Sequence, residues 1–365
     1  MLCKVKKSFN MIDLFAKYLY NNTMANYIVE RTKKSNEKLR NIVAGLPDFC
    51  IDYFIGIEQT TSPLTRLNYA TDLSIFFYFL SSEVFNKDTK NITLKDINSL
   101  KSRDIELFLS YLTDFVKDGI NYQNGDRGKA RKLSAIRSLF KYLYFNNQIS
   151  QDVSSKVKTP KIHLKPIIYL EPNEVAKLLN ESENAKDLTT REIAFNKITC
   201  VRDTALLSLF LGTGIRVSEC VGLNVNDIDF ENNAFKITRK GGNQTILYFS
   251  DEVKAPLLAW LEERAQWLGE KSTENALFLS LQKKRICVRA VQKLVKKYSS
   301  SASPLKKITP HKLRSTYGTS LYQKTGDIYV VAEVLGHKDV NTTKKHYASM
   351  SDDIKRSVAN KIKLR

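Results

Sequence analysis

Apolar residues recur at three- and four-residue spacing along most of this chain, the period of an α-helix with one buried face. Four runs after Pro47 carry that spacing: PDFCIDYFIGIEQ, TRLNYATDLSIFFYFLSSEVF, LKSRDIELFLSYLTDFVKDG and RGKARKLSAIRSLFKYLYFNN. In the last run Leu133, Ile136, Leu139, Phe140, Leu143 and Tyr144 form one apolar stripe, and Lys129, Arg131, Lys132, Arg137 and Lys141 take the remaining face. The pattern predicts an all-helical domain over residues 47–157. Residues 1–46 read as a basic helical extension, within which Met24 is a second candidate start.

The period lapses in KVKTPKIHLKPIIYL, whose two prolines and four lysines predict an extended linker, with residues 158–168 at its centre. A second domain follows over residues 169–365. LEPNEVAKLLN opens a helix with Pro172 in its first turn, where a missing N–H costs nothing. The polar stretch 181–200 predicts a loop or partial helix. VRDTALLSLFLGTG reads as a buried helix stopped by Gly212 and Gly214. AFKITRKGG and QTILYFS alternate around glycines, as a β-hairpin does. The helical spacing then returns in DEVKAPLLAWLEERAQWLG, VRAVQKLVKKYSS, TPHKLRSTYGTSLYQKTG, DIYVVAEVLG and DDIKRSVANKIKLR. The fold class expected is mainly α with a small β-sheet, in two domains.

Composition changes the picture in one respect. Lys and Arg number 58 against 38 acidic residues, a net charge of +20. Such an excess favours polyanions, nucleic acid above all, through counterion release. A basic helix face is either solvated or laid along phosphates, and this total charge favours the second. The five cysteines (Cys3, Cys50, Cys200, Cys220 and Cys287) are odd in number, scattered and without a CxxC pair. They argue against a disulfide framework or a zinc site and for free thiols in a reducing cytoplasm. No apolar span is long enough to cross a membrane. MIDLFAKYLY is broken by Asp13 and Lys17 and reads as a short amphipathic helix rather than a signal peptide.

The candidate chemistry lies in the second domain. A phosphodiester under attack gathers charge on its non-bridging oxygens, and the planar, permanently charged fork of arginine meets that need. Arg216 follows a Gly-Thr-Gly turn at a helix start, where free backbone N–H groups also favour an anion, and Glu219 lies one turn on. Thr309 reads as an N-cap and Pro310 as the first helical residue, so His311 and Arg314 project from one face of the opening turns. Gly336 is well placed as a left-handed cap, which sets His337 in a fixed turn. Two of the four histidines fall in these short motifs. Tyr347 follows Asn341, Thr342 and Thr343, and a tyrosine suits a reversible covalent bond to phosphate that needs a general acid for the leaving 5′ oxygen. Lys240, at the tip of the predicted hairpin, is the acid candidate, with Lys236 and Arg239 as rivals.

Taken together and in this order, TGIRVSE, the RKGG hairpin, HKLR, LGHKDVNTT and Tyr347 resemble the motifs of the tyrosine recombinases (integrases), with a layout similar to the Xer-type members. The resemblance covers residues 169–365 and, more loosely, the helical domain. It implies a helical core-binding domain joined to an α/β catalytic domain. Arg216 and Arg314 would clamp the scissile phosphate, His311 and His337 would complete its shell, and Glu219 would brace the site. Lys240 would act as general acid and Tyr347 as the nucleophile that forms a 3′-phosphotyrosine. Neither metal nor nucleotide cofactor is implied, and no GxxxxGK[ST] motif is present.

The implied activity is site-specific recombination of double-stranded DNA through a Holliday junction, in chromosome dimer resolution or mobile-element integration. A type IB-like topoisomerase and a non-catalytic DNA-binding protein are the alternatives. The expected assembly on DNA is a homotetramer, or a tetramer with a related recombinase. In it, the tail stripe of Ile354, Val358 and Ile362 would dock on a neighbouring protomer. One feature departs from the family: its usual offset of nine residues from His337 falls on His346, and Tyr347 comes one later.

Overall fold

The computed structural model describes residues 29–162, 167–184, 190–239, 242–269, 272–336 and 340, without the side chains of 190–198. The chain divides into two compact units, one over Ala25–Leu164 and one built on Lys165–Arg365. Among the described residues no helix is long and apolar enough to cross a membrane.

In the first unit the predicted spacing becomes helix α1 (residues 29–43), α2 (Phe49–Gly56), α3 (Pro63–Phe79), α4 (Leu94–Ser99), α5 (Ser102–Tyr111) and α6 (Asp126–Phe145). Helix α3 begins where the Ser62 hydroxyl accepts from the Thr65 N–H at 3.2 Å and Pro63 takes the first position. Their apolar faces meet in one core rich in phenylalanine, where the rings of Phe76 and Phe108 pack edge to face at 5.1 Å. Leu39 and Leu46 are buried in that same core. The C-terminal part of the expected extension is therefore part of the bundle, and the unit begins before Pro47.

The run 100–119 is a second difference. It ends as a helix at Tyr111 and continues as a hairpin, β1 (Phe115–Lys117) against β2 (Ile120–Tyr122), with Lys117 opposite Ile120. Asp118 and Gly119 take φ of 52° and 74°, the paired left-handed conformation that two-residue hairpins require.

Helix α6 buries Leu133, Ile136, Leu139, Phe140 and Leu143 as expected, whereas Tyr144 is 47% exposed. Its basic face is smaller than expected. Lys132 is only 4% exposed, because it sits at the i, i+4, i+7 positions of the apolar stripe with Ile136 and Leu139. Its ammonium donates to Asn124 Oδ1 at 2.9 Å and lies 3.6 Å from a carboxylate oxygen of the buried Asp72, whose other oxygen accepts from Arg131 at 2.5 Å. Burial raises the carboxyl pKa of Asp72 and lowers that of the Lys132 ammonium. Arg137 is also spent within the fold, donating to the carbonyls of Ser154 and Val157 and to Thr159 Oγ1. Lys129, Arg131 and Lys141 keep surface positions: Lys129 bonds Thr113 Oγ1, and Lys141 lies over the Phe145 ring.

Asp72→Ala strands a buried ammonium and is expected to cost about 3–5 kcal/mol in urea unfolding, most of which Lys132→Met on the same chain restores. A loss under about 1 kcal/mol would show the pair to be dispensable.

The second unit holds α7 (Pro172–Asn184), α8 (Thr190–Thr213), α9 (Val217–Cys220), β3 (Ile228–Asp229), β4 (Ala234–Thr238), β5 (Gln244–Tyr248), α10 (Asp251–Leu268), α11 (Val288–Ala302), α12 (Pro310–Thr325) and α13 (Ile328–Leu335). The strands form one antiparallel sheet in the order β3-β4-β5, with Thr238 opposite Gln244 at the turn end of the hairpin. The polar stretch 181–200 is helical wherever it is described: α7 runs to Asn184 and α8 starts at Thr190. Gly212 lies inside α8 and allows close packing on α10, since a Cβ there would overlap the Val253 side chain. Gly214 is the stop, with φ of 62° and the Tyr317 ring where its Cβ would stand.

A buried polar cluster ties α8 to α11. Asp203 accepts from the Arg202 guanidinium at 2.6 and 2.8 Å, from Thr199 Oγ1 at 3.2 Å and from the Tyr298 hydroxyl at 2.9 Å. Its charge is thereby matched by donors throughout.

Candidate active site

Helix α12 starts as its sequence requires. Thr309 is the N-cap, extended at φ −138° without a side-chain cap bond, Pro310 is the first helical residue, and His311 follows with its side chain exposed. Arg314, one turn on, faces inward and is 5% exposed. Its Nη1 donates to the Gly214 carbonyl at 2.6 Å and its Nη2 to the Leu335 carbonyl. Burying an arginine is tolerable because its planar fork meets acceptors on two sides. Gly214 thus serves twice: its left-handed turn ends α8 and offers its carbonyl to Arg314.

Arg216 caps the short helix α9. Glu219 accepts from the Arg216 backbone N–H at 2.9 Å and from its Nη1 at 2.8 Å, and this carboxylate is almost fully buried. Of the N–H groups at this helix start, that of Arg216 itself is taken by Glu219. The Arg216 Nη2 reaches the Gly336 carbonyl at 2.9 Å, while the side chain remains 36% exposed.

A third arginine joins them. Arg239 follows β4, and its Nη2 donates to the Val334 carbonyl at 3.2 Å. Three guanidinium groups from three parts of the chain therefore bind the consecutive carbonyls of Val334, Leu335 and Gly336. These close α13, and Gly336 caps it at φ 61° as expected. Helix C-termini carry unpaired carbonyls and partial negative charge, so cations collect there. The arrangement gathers Arg216 and Arg314 on the carbonyls of Leu335 and Gly336. Of the expected site residues it brings together Arg216, Glu219 and Arg314, and it sets His311 on the helix of Arg314. Lys240, His337 and Tyr347, like the tail stripe, lie outside the described residues. Lys236 lies in mid-strand, opposite Ile246, away from the hairpin tip.

Residues 169–353 match the phage integrase family. The chain belongs to that family. This integrase is 33% identical over 320 residues to the tyrosine recombinase XerC of Caldanaerobacter subterraneus subsp. tengcongensis, covering 85% of this chain and 84% of that one. It is 29% identical over 352 residues to the tyrosine recombinase XerS of Streptococcus pneumoniae, covering 88% and 97%. Among solved structures, the Tn1549 transposon integrase in complex with a circular intermediate DNA superposes with a TM-score of 0.60 at 17% identity, covering 84% of this chain and 98% of that one. That likeness concerns the fold, and it is the two-domain fold of tyrosine recombinases. Family and relatives together make the chain an enzyme of site-specific DNA recombination.

Arg239 is what reading the integrase sequence missed. The sequence offers it only as an alternative acid, whereas the structure commits its side chain to a helix end. The signal available was weak: one basic residue among three near a turn.

Proposed function

We propose that this integrase exchanges strands between two short duplex DNA sites, with Tyr347 as nucleophile, Arg216 and Arg314 on the scissile phosphate and Lys240 as general acid. The convergence of Arg216 and Arg314 on the carbonyls just ahead of His337 carries the reading, because it gathers on one spot the cationic groups that a phosphodiester needs. In the proposed step the Tyr347 phenolic oxygen attacks phosphorus and the P–O5′ bond breaks. The phenolic proton passes to the His311 imidazole, and Lys240 gives a proton to the departing 5′ oxygen. The product is a 3′-phosphotyrosine with a free 5′ hydroxyl, and the 5′ hydroxyl of the partner strand reverses the step to rejoin. His337 and Glu219 hold the phosphate shell and Arg216 in place. Two such exchanges, made and resolved through a Holliday junction, complete recombination.

Affinity for DNA would come mainly from phosphates, with Lys129, Arg131 and Lys141 of the first unit among the contacts, and would fall steeply with salt. Four protomers would assemble on two sites, each tail stripe of Ile354, Val358 and Ile362 docking on its neighbour.

The test uses a supercoiled plasmid carrying two copies of a site from DNA beside the gene, incubated in EDTA. The intact protein is expected to yield recombined circles, and deletion of residues 352–365 to leave relaxation only. Relaxation by the intact protein with no recombined circle, on sites that it cleaves, would make the chain a topoisomerase. Tight binding with no cleavage would make it a binding protein.

A further inference from the structure

Arg239 is anchored at both ends of its residue. Its backbone closes the β4–β5 hairpin: its N–H donates to the Asn243 carbonyl at 2.8 Å and its carbonyl accepts from the Gly242 N–H at 3.1 Å. Its side chain leaves the hairpin and binds the Val334 carbonyl. The guanidinium also fills the space in which a Cβ on Gly336 would stand, so a glycine there lets Arg239 approach the end of α13 closely. Burial lowers the pKa of the Arg239 guanidinium, with Glu219 acting against that and the neighbouring Arg216 adding to it. A half-buried cation kept beside another cation is costly, and its retention here needs a reason beyond closing a turn.

The chemistry of that place supplies one. The hairpin must present the residue after Arg239 to a leaving oxygen, and a two-stranded hairpin tip has little packing to hold it. Arg239 cannot be the acid itself, because a guanidinium stays protonated at working pH and this one is committed to a carbonyl. We propose that Arg239 is a positioning residue for the general acid: it bolts the turn end of the β4–β5 hairpin to the C-terminus of α13, so that Lys240 reaches the leaving 5′ oxygen. This rests on the reading of Lys240 as that acid.

The test compares two nicked duplexes on which the wild-type protein forms its covalent adduct. One carries the ordinary 5′ oxygen at the scissile phosphate and the other a 5′-bridging sulfur. Breaking P–S releases a thiolate, which needs no proton, so that substrate does not depend on the acid. Arg239→Ala is expected to slow adduct formation on the order of 100-fold with oxygen, the lower end of what a general acid contributes, and less than about 3-fold with sulfur. Lys240→Ala should show the same contrast, and Arg239→Lys, which keeps charge and length without the planar fork, a smaller one. An equal loss of Arg239→Ala on both substrates, with Lys240→Ala rescued by sulfur, would make Arg239 part of the fold or of the phosphate shell and overturn the proposal alone. A Lys240→Ala defect undiminished on sulfur would overturn the acid assignment and the proposal with it.

Discussion

Tyr347→Phe forms no SDS-resistant adduct with nicked DNA in EDTA, while its affinity for the same duplex stays within about twofold of wild type. Removing one oxygen removes the atom proposed to bond to phosphorus, and the phenyl ring is otherwise the same side chain. No other tyrosine follows His337 in the chain. Tyrosines elsewhere in the catalytic unit are poor substitutes. The Tyr298 hydroxyl is committed to Asp203, and burial pushes the phenols of Tyr298 and Tyr317 above their ordinary range, so neither yields a phenolate readily. His346→Ala, at the offset where the family usually places its tyrosine, keeps the adduct. An adduct that persists in Tyr347→Phe would move the nucleophile to another residue.

Arg314→Lys slows adduct formation by roughly 100- to 1,000-fold, the range for losing one preorganised donor to transition-state charge. It also destabilises the protein, and here the two clamp arginines part company. Arg314 is buried and holds two carbonyls at once, Gly214 and Leu335. A lysine ammonium is a point donor without the fork, so one buried carbonyl loses its partner at about 1–3 kcal/mol. Arg216 is 36% exposed, so its guanidinium is not sealed in the interior as that of Arg314 is. Arg216→Lys therefore loses a comparable share of cleavage with little change in thermal unfolding. Rates on nicked DNA and melting curves of the two variants decide the matter. If Arg314→Lys melts with wild type, its guanidinium does not support the fold.

The helical spacing made most elements legible, and the places where it misled are instructive. Apolar residues in LFLSYLTDFV keep helical intervals past Tyr111, so a helix to residue 119 looked continuous. Asp118 and Gly119 argued otherwise, since an Asp-Gly pair adopts the left-handed conformation that a two-residue hairpin needs. The sequence reading sets Lys132 with the other basic residues on the face opposite the apolar stripe. Its position on the stripe of Ile136 and Leu139 pointed inward, and only the buried Asp72, contributed by α3, makes that burial tolerable. Sequence has no local sign of such a partner, because the pairing depends on how two helices face each other.

The candidate site divides in the same way. TGIRVSE, HKLR and LGHKDVNTT could be recognised along the chain because turns, caps and one-turn spacings are local, set by residues within a few positions of each other. Local order also placed Pro310 at the start of α12 and Gly336 in its left-handed cap. The tertiary structure alone decided that Arg239, Arg314 and Arg216 meet the carbonyls of Val334, Leu335 and Gly336, which for Arg239 and Arg216 lie 95 and 120 positions away. A guanidinium's charge is written in the sequence. Its acceptor is chosen by which unpaired carbonyls the packed helices bring within reach, and that follows from the shape of the whole catalytic unit.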